Sequence, residues 1–93
     1  MNIKGTFYFD PSDRIYADHF PGNPVVPGSL IINAFLKALK KEGCNKGYTI
    51  ENFRFKEFVS PGEYSFNIEI DQNKIKCGLF RKSSAVVTGV ITK

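Results

Sequence analysis

His19 is the one histidine of the 93-residue chain, and it opens a segment rich in proline and glycine that leads into a predicted helix. Gly28 closes that segment at the expected helix start, where the lack of a side chain would let a ligand approach the backbone N–H. Helix N-termini carry unpaired N–H groups and a partial positive charge. The pattern therefore indicates a candidate general base beside a site that could stabilise an oxyanion.

The same segment has a plainer interpretation. His19 would then be a surface or packing residue, and the prolines would only stiffen a crossing loop. Residues 10–28 hold four of the five prolines, and no regular element fits there. Long irregular segments are uncommon in small domains unless they are functional. The residue pattern by itself leaves both interpretations open.

The helix that follows is predicted over about residues 29–42. Pro27 suits a helix entrance, Ser29 is placed to cap a free N–H, and Gly43 can supply the left-handed residue after the helix. Apolar residues cover most of the circumference, which predicts a helix buried on most sides. The polar exception is a stripe of residues four apart: Ser29, Asn33, Lys37 and Lys41.

Alternation of apolar and polar residues predicts strands in the rest of the chain. The segments are residues 2–9, 50–55, 64–70, 75–79 and 86–92. Turn residues separate them, among them Ser60-Pro61-Gly62 and Asp71-Gln72-Asn73. Short connections favour antiparallel pairing. We expect an α+β fold within one domain, residues 1–93, in which an antiparallel sheet wraps around one long helix.

Charge and composition narrow the function classes. The net charge of +4 is spread along the chain, whereas nucleic-acid binding needs a concentrated basic face. No apolar run is long enough to span a bilayer, and no secretory leader is recognisable. Cys44 and Cys77 lack a metal-binding or redox spacing and are expected to be free thiols. The pattern favours a cytoplasmic protein without metal or cofactor, and a basic surface would suit an acidic protein partner.

Two motifs resemble the 3-hydroxyacyl-acyl-carrier-protein dehydratases of bacterial fatty-acid synthesis. The first runs as His19-Phe20-Pro21-Gly22-Asn23-Pro24-Val25-Val26-Pro27-Gly28, and the second as Phe53-Arg54-Phe55-Lys56 followed by Val59-Ser60-Pro61-Gly62-Glu63. The resemblance implies a hot-dog fold, usually as a homodimer, with the acyl chain beside the central helix. It implies thioesters of acyl carrier protein, or of CoA, as substrates.

The family's mechanism also implies roles for single positions. His19 would remove the proton next to the thioester carbonyl, and the Gly28 N–H would hold the carbonyl oxygen as negative charge develops. Phe20, Pro27 and Ser29 would contribute to the substrate site. A helix Glu or Asp, supplied by the other subunit, would help expel the 3-hydroxyl as water.

That acidic position is occupied by Asn33 in this sequence. An amide can donate a hydrogen bond, but it cannot act as a general acid, so dehydration is expected to be impaired while binding survives. Asn33 could instead face solvent as part of the polar stripe. Asp10, Asp13, Asp18 and Glu42 are the other acids considered, and none is well placed by spacing alone. A paralogous subunit in a heterodimer would be another source of the carboxylate.

The chain also has little or no counterpart of the family's N-terminal helix and first strand, so we expect a shallower, more open site. Four functions remain in view: a weakly catalytic acyl-thioester binder, an active dehydratase, a thioesterase, and an unrelated small β-domain. Turnover of a 3-hydroxyacyl thioester and release of free thiol would separate the first three. The helix-wrapped sheet separates them all from the fourth.

Overall fold

The structure, a computed structural model, describes residues 1–14, 24–43 and 47–92. This part of the chain forms one helix and five strands. In chain order these are β1 (Asn2–Phe9), α1 (Gly28–Lys41), β2 (Thr49–Phe55), β3 (Gly62–Asp71), β4 (Lys74–Arg81) and β5 (Ser84–Thr92). The predicted order of a strand, a long connection, a helix and four strands is confirmed.

The five strands form one antiparallel sheet in the order β1-β3-β4-β5-β2. Tight turns join β3 to β4 and β4 to β5, and positive φ angles occur there at Gln72, Lys82 and Ser83. Such turns match the right-handed twist of the strands they connect. Because β1 and β2 each pair on one side only, they form the two edges of the sheet.

One face of the sheet is apolar because alternate side chains point to it. In β1 these are Ile3, Phe7 and Phe9, and in β3 they are Tyr64, Phe66, Ile68 and Ile70. The helix lies against this face. Its fully buried residues, Ile31, Phe35 and Leu39, are four apart and therefore form one stripe.

Phe35 lies at the centre of the core. Its ring makes edge-to-face contacts with Phe7 at 5.1 Å, Phe53 at 6.0 Å and Phe66 at 6.2 Å between ring centroids. These partners come from β1, β2 and β3, so one helical side chain contacts both edge strands of the sheet. Aromatic pairs at such distances add about 0.5–1.5 kcal/mol each beyond the apolar area that they bury.

Two predictions about the helix differ from the structure. Ser29 is not the N-cap: the helix begins one residue earlier, the cap is Pro27, and no side chain caps the first turn. The fixed φ of Pro27, −59°, already suits a helix entrance, so Gly28 takes the first helical position. The helix is also less buried than predicted, because the sheet covers one side and leaves flanking residues such as Ile32 and Leu36 half-buried.

The C-terminal end of the helix agrees with its prediction. Gly43 has a φ of +87°, the left-handed conformation that glycine adopts without steric cost. Lys40 and Lys41 lie in the last turn, where cations interact favourably with the helix dipole.

The edge strand β2 exposes more apolar surface than the other strands. Ile50 and Phe55 are 44% and 45% exposed, and Phe58, just beyond the strand, is 83% exposed. Exposed apolar edges favour pairing with another chain. Across the described residues, the edge of β2 away from β5 has no strand beside it.

Candidate functional site

The site begins where the chain enters the helix. The carbonyl of Pro27 accepts hydrogen bonds from the N–H groups of Leu30, at 3.0 Å, and Ile31, at 3.3 Å. Within the described residues, neither Gly28 nor Ser29 donates its own N–H to a partner. Two adjacent donors thus remain at the positive end of the helix dipole, an arrangement suited to an anion or to a developing oxyanion.

The side chain of Phe55 closely approaches the backbone of Gly28. A methyl group at residue 28 would lie 2.9 Å from Cζ of the Phe55 ring, nearer than carbon atoms normally come. Glycine therefore lets the helix start pack directly onto β2. The half-exposed Phe55 ring lies beside the backbone whose N–H is unpaired.

A backbone hydrogen bond ties this entrance to the turn before β3. Val26 donates its N–H to the carbonyl of Val59 at 2.7 Å. Both valines are buried, at 3% and 2% exposure. The two motifs recognised in the sequence, 19–28 and 53–63, therefore meet at this bond.

A polar cluster holds the turn that follows Val59. The buried Tyr64 donates its hydroxyl to the Ser60 carbonyl at 2.8 Å and accepts from Arg81 Nη2 at 2.7 Å. Ser60 Oγ lies 3.2 Å from the same hydroxyl. Glu57 lies 3.8 Å from Arg81 on the other side of the guanidinium. The hydrogen bond that Arg81 donates to the Tyr64 hydroxyl raises the pKa of Arg81, so the guanidinium keeps its charge.

Sequence reasoning did not identify the roles of Tyr64 and Arg81. Tyr64 stands at an inward position of a cleanly alternating strand, so its pattern predicts a core residue and nothing more. One signal was available, because a buried tyrosine hydroxyl normally has a hydrogen-bond partner. The identity of that partner, 17 residues away across a strand turn, was not readable from spacing.

Asn33 lies on the exposed side of the helix and lines an open cleft of about 250 Å³. The cleft lies between the first turns of the helix and the end of β1. Its walls consist of aromatic, aliphatic and charged residues: Tyr8, Phe9, Asp10, Asp13, Leu30, Asn33, Ala34 and Lys37. Asn33 is thus both solvent-accessible and part of a concave surface, so the two alternatives for this residue do not exclude each other.

Two carboxylates, Asp10 and Asp13, share the cleft with Asn33. Ser12 donates both its backbone N–H, at 2.9 Å, and its hydroxyl, at 2.7 Å, to Asp10 Oδ1. These hydrogen bonds favour the ionised form and lower the pKa of Asp10. Asp10 is therefore a carboxylate at neutral pH and a poor proton donor. Glu42, another acid considered from sequence, lies at the opposite end of the helix.

An apolar groove of about 330 Å³ adjoins this cleft and shares Ala34 and Lys37 with it. Phe7, Phe66 and Ala38 form most of its apolar lining, and Lys41 lies along it. The groove follows the helix beside the edge strand β1. Its size and composition suit a short apolar chain.

Several predicted residues lie outside the part of the chain that the structure describes. These are the base candidate His19, the substrate-site residue Phe20, the acid Asp18 and the thiol Cys44. Cys77 is described: it is a buried free thiol, and burial raises its pKa to about 12. That state fits the prediction of a small apolar core residue.

In residues 1–14, 24–43 and 47–92, no three His, Cys, Asp or Glu side chains come together as a metal site. No helix in these ranges is long and apolar enough to cross a membrane.

Comparison with protein families gives a match over nearly the whole chain. A family model described as ApeI-like, ApeI dehydratase, matches residues 1–90. Among curated proteins, the chain is similar to the 3-hydroxyacyl-[acyl-carrier-protein] dehydratase FabZ of Bacillus cereus, with 33% identity over 86 residues and 83% of the chain covered. The match spans 58% of that protein, so the chain corresponds to about three fifths of its relative.

Solved structures with the same fold include a dehydratase heterocomplex and a hydratase. The dehydratase heterocomplex ApeI:P from Xenorhabdus doucetiae matches with a TM-score of 0.77 and 21% identity, covering 98% of this chain and 85% of that one. An (R)-hydratase from A. caviae involved in PHA biosynthesis matches with a TM-score of 0.68 and 18% identity, covering 99% and 93%. These likenesses confirm the predicted α+β hot-dog fold.

Proposed function

Because the chain belongs to the ApeI-like dehydratase family of hot-dog proteins, we propose that it binds 3-hydroxyacyl and 2-enoyl thioesters and slowly dehydrates the former to the latter. The thioesters would be carried on an acyl carrier protein or on CoA. The observation that supports this most is the helix entrance, where Gly28 ends the family motif and keeps its N–H unpaired among the described residues. A thioester carbonyl is the group that such a donor would receive.

In this proposal each motif residue has one task. His19 removes the proton from the carbon next to the carbonyl, and the Gly28 N–H stabilises the enolate oxygen that results. Pro27 fixes the direction of the helix entrance, and the unpaired N–H of Ser29 adds a second donor. Phe20 is proposed to contribute to the substrate site.

Asn33 limits the second half of the reaction. A leaving hydroxyl must be protonated as the carbon–oxygen bond breaks, and an amide has no proton to give at neutral pH. Loss of a general acid typically slows catalysis by about 100- to 10,000-fold. Asn33 would still hydrogen-bond the hydroxyl, so binding is retained.

The adjoining groove supports a short acyl chain as the substrate. Its lining by Phe7, Phe66 and Ala38 is apolar, and it is continuous with the Asn33 cleft. Its volume of about 330 Å³ is open to solvent along the helix. A short chain could lie there with its thioester in the adjoining cleft beside Asn33.

A second candidate function is an active dehydratase, favoured by the carboxylates beside Asn33. Asp13 is the other carboxyl group beside Asn33, whereas the hydrogen bonds from Ser12 lower the pKa of Asp10. A partner subunit with its own helix carboxylate is another route to activity. The structural neighbour from Xenorhabdus doucetiae is itself a dehydratase heterocomplex, which supports testing paralogous partners.

The surface of β2 supports association through this edge, as a homodimer or with such a paralogue. Ile50, Phe55 and Phe58 present exposed apolar surface, and Ile32 and Leu36 of the helix are half-buried. A second β2 strand would satisfy the free backbone groups of this edge and cover these side chains. Dimerisation would also bring a partner's Asn33 within reach of the other chain's entrance loop.

The exposed face of the helix supports an acidic carrier as the partner. Lys37, Lys40 and Lys41 are all exposed and lie within two turns of one another. Such a cluster raises the rate of encounter with an acidic protein surface more than it raises affinity. We expect salt to weaken carrier binding more than binding of the isolated pantetheine thioester.

The test uses crotonyl-pantetheine and 3-hydroxybutyryl-pantetheine with the wild-type chain and His19→Ala. Calorimetry should detect binding of the crotonyl thioester, and mass spectrometry should detect slow interconversion that His19→Ala abolishes. Absence of binding at millimolar ligand would overturn the proposal. Release of free thiol without interconversion would instead identify a thioesterase.

A further inference from the structure

We propose that Tyr64 and Arg81 are positioning residues that hold the Gly28 amide in place through the Ser60-Pro61-Gly62 turn. We call these two side chains, with Ser60, the turn clamp. The inference rests on the proposed function, because that function gives the Gly28 N–H a thioester carbonyl to bind. Neither Tyr64 nor Arg81 touches the substrate in this account.

The clamp is built around one buried hydroxyl. Tyr64 is 5% exposed, yet its hydroxyl both donates, to the Ser60 carbonyl at 2.8 Å, and accepts, from Arg81 Nη2 at 2.7 Å. The bond from Arg81 is at the short end of the range for its type, and the bond to Ser60 has the ordinary length of a hydroxyl–carbonyl bond. The cation also polarises the hydroxyl, which strengthens its bond to the turn.

The clamp reaches Gly28 through a short run of backbone. Ser60 follows Val59, whose carbonyl accepts the Val26 N–H at 2.7 Å. Pro27, with its fixed φ, is the one residue between Val26 and Gly28. A displacement of the Ser60 peptide therefore moves Val59, and Val26 moves with it.

The turn needs this support because it has little packing of its own. Lys56, Glu57, Phe58 and Ser60 are exposed, and Val59 alone in this stretch is buried. Gly62 has a φ of +138°, a conformation that only glycine adopts readily, and the space around it is open. The hydrogen bonds between Tyr64 and Ser60 thus restrain the turn from the sheet.

Arg81 is suited to this task by the shape of its side chain. One nitrogen of the guanidinium bonds Tyr64, while the other lies 3.8 Å from the exposed carboxylate of Glu57. The Glu57 pair is long and exposed, so it contributes little. The bond to Tyr64 carries the restraint, and Lys at this position would lose the fork geometry that reaches both partners.

Correct placement of the donor matters because an oxyanion site tolerates little misplacement. Donors must lie about 2.7–3.1 Å from the oxygen that becomes charged, and supporting shells must hold them within about 0.5 Å. Releasing the turn would widen the range of positions that Gly28 samples. The fold would survive, since Tyr64→Phe keeps the ring that packs in the core and removes only the hydroxyl.

The experiment compares Tyr64→Phe and Arg81→Lys with the wild-type chain, and uses Arg54→Lys as the matched control. Arg54 lies on the opposite face of the sheet and carries the same charge. Amide hydrogen exchange is followed by NMR in ligand-free protein, with the Val26 amide compared with the amides of the central strand β4. The infrared carbonyl stretch of ¹³C-labelled crotonyl-pantetheine is then measured in each bound state.

We expect Val26 exchange to accelerate about 2- to 10-fold relative to β4 in both clamp variants, the factor expected from losing one hydrogen bond. The carbonyl stretch should return toward its free value, and Kd should rise by a similar factor. Arg54→Lys should change neither. Unchanged Val26 exchange in both clamp variants would overturn the inference, as would an unchanged carbonyl stretch. If the wild-type chain binds no thioester, the proposed function fails, and Val26 exchange still decides the role of the clamp.

Discussion

The ring of Phe55 lies so close to the backbone of Gly28 that a methyl group there would be 2.9 Å from its Cζ. Gly28 thus has two reasons to be glycine: it lets the helix start lie on β2, and it leaves the N–H open to a ligand. The first reason belongs to folding and the second to the proposed function. Substitutions that restore the packing on β2 without restoring ligand access to the N–H can separate the two.

Gly28→Ala is expected to lower the free energy of unfolding by about 1 kcal/mol, the lower end of the range for an added methyl group. The lower end applies because Phe55 is 45% exposed and its ring can turn outward. Gly28→Ala combined with Phe55→Leu should regain most of that stability in urea denaturation. Thioester binding should stay impaired in the double variant. Full recovery of affinity together with stability would show that Gly28 serves packing alone.

Cys77 should make stability fall in alkaline solution. Its pKa is raised to about 12 because burial disfavours the thiolate. Between pH 9 and 12 the Cys77 thiol therefore keeps its proton in the folded state and loses it in the unfolded state. The contribution of Cys77 to the free energy of unfolding is complete below pH 9 and declines as the pH rises toward 12. The slope from this group is at most about 1.4 kcal/mol per pH unit.

Other groups titrate in this range too, so the measurement is the difference between the wild-type chain and Cys77→Val. The difference in unfolding free energy should change between pH 8 and 11. A constant difference would show that the Cys77 pKa is not raised.

In the proposed dimer, Phe58→Ser is expected to weaken self-association about 10-fold or more, because aromatic side chains contribute much of the energy of protein interfaces. Phe58 is 83% exposed, so the substitution should leave the fold of a single chain intact. Tyr8→Ser, on the outer face of the opposite edge strand, is the control. Sedimentation equilibrium gives the dissociation constants, and equal effects of the two substitutions would place the interface elsewhere.

Asp10→Asn should leave the slow dehydration within about 3-fold of the wild-type rate. The two hydrogen bonds from Ser12 lower the pKa of Asp10, so it is ionised at neutral pH and has no proton to donate. Asp13→Asn, at the neighbouring position in the cleft, tests the other carboxylate in the same assay. A loss of about 100-fold on Asp10→Asn would identify Asp10 as the acid and contradict this account.

Alternation predicted the strands best where one face lies against the core. In β3, Tyr64, Phe66 and Ile68 are buried and the residues between them are not. The observed burial therefore alternates as the sequence does. The helix boundary was missed by one residue at Ser29, because proline's fixed φ competed with serine's capping hydroxyl and prevailed. Capping rules rank residues by propensity and do not resolve such competition.

The site was less predictable because its contacts are long-range. Asp10 and Asn33 line one cleft although 23 positions separate them, and Tyr64 and Arg81 meet only after β3 and β4 have paired. Spacing along the chain carries no signal for either contact. The family motif identified Gly28 and Asn33 by type, and the structure shows what surrounds them.

The central claim is that Asn33 leaves binding intact and limits dehydration. The most direct measurement is single-turnover dehydration of 3-hydroxybutyryl-pantetheine by the wild-type chain and Asn33→Glu, with Kd measured on the same samples and circular dichroism confirming the fold. Asn33→Glu should raise the rate about 100-fold or more and change Kd by less than about 3-fold. A correctly folded Asn33→Glu with an unchanged rate would contradict the claim.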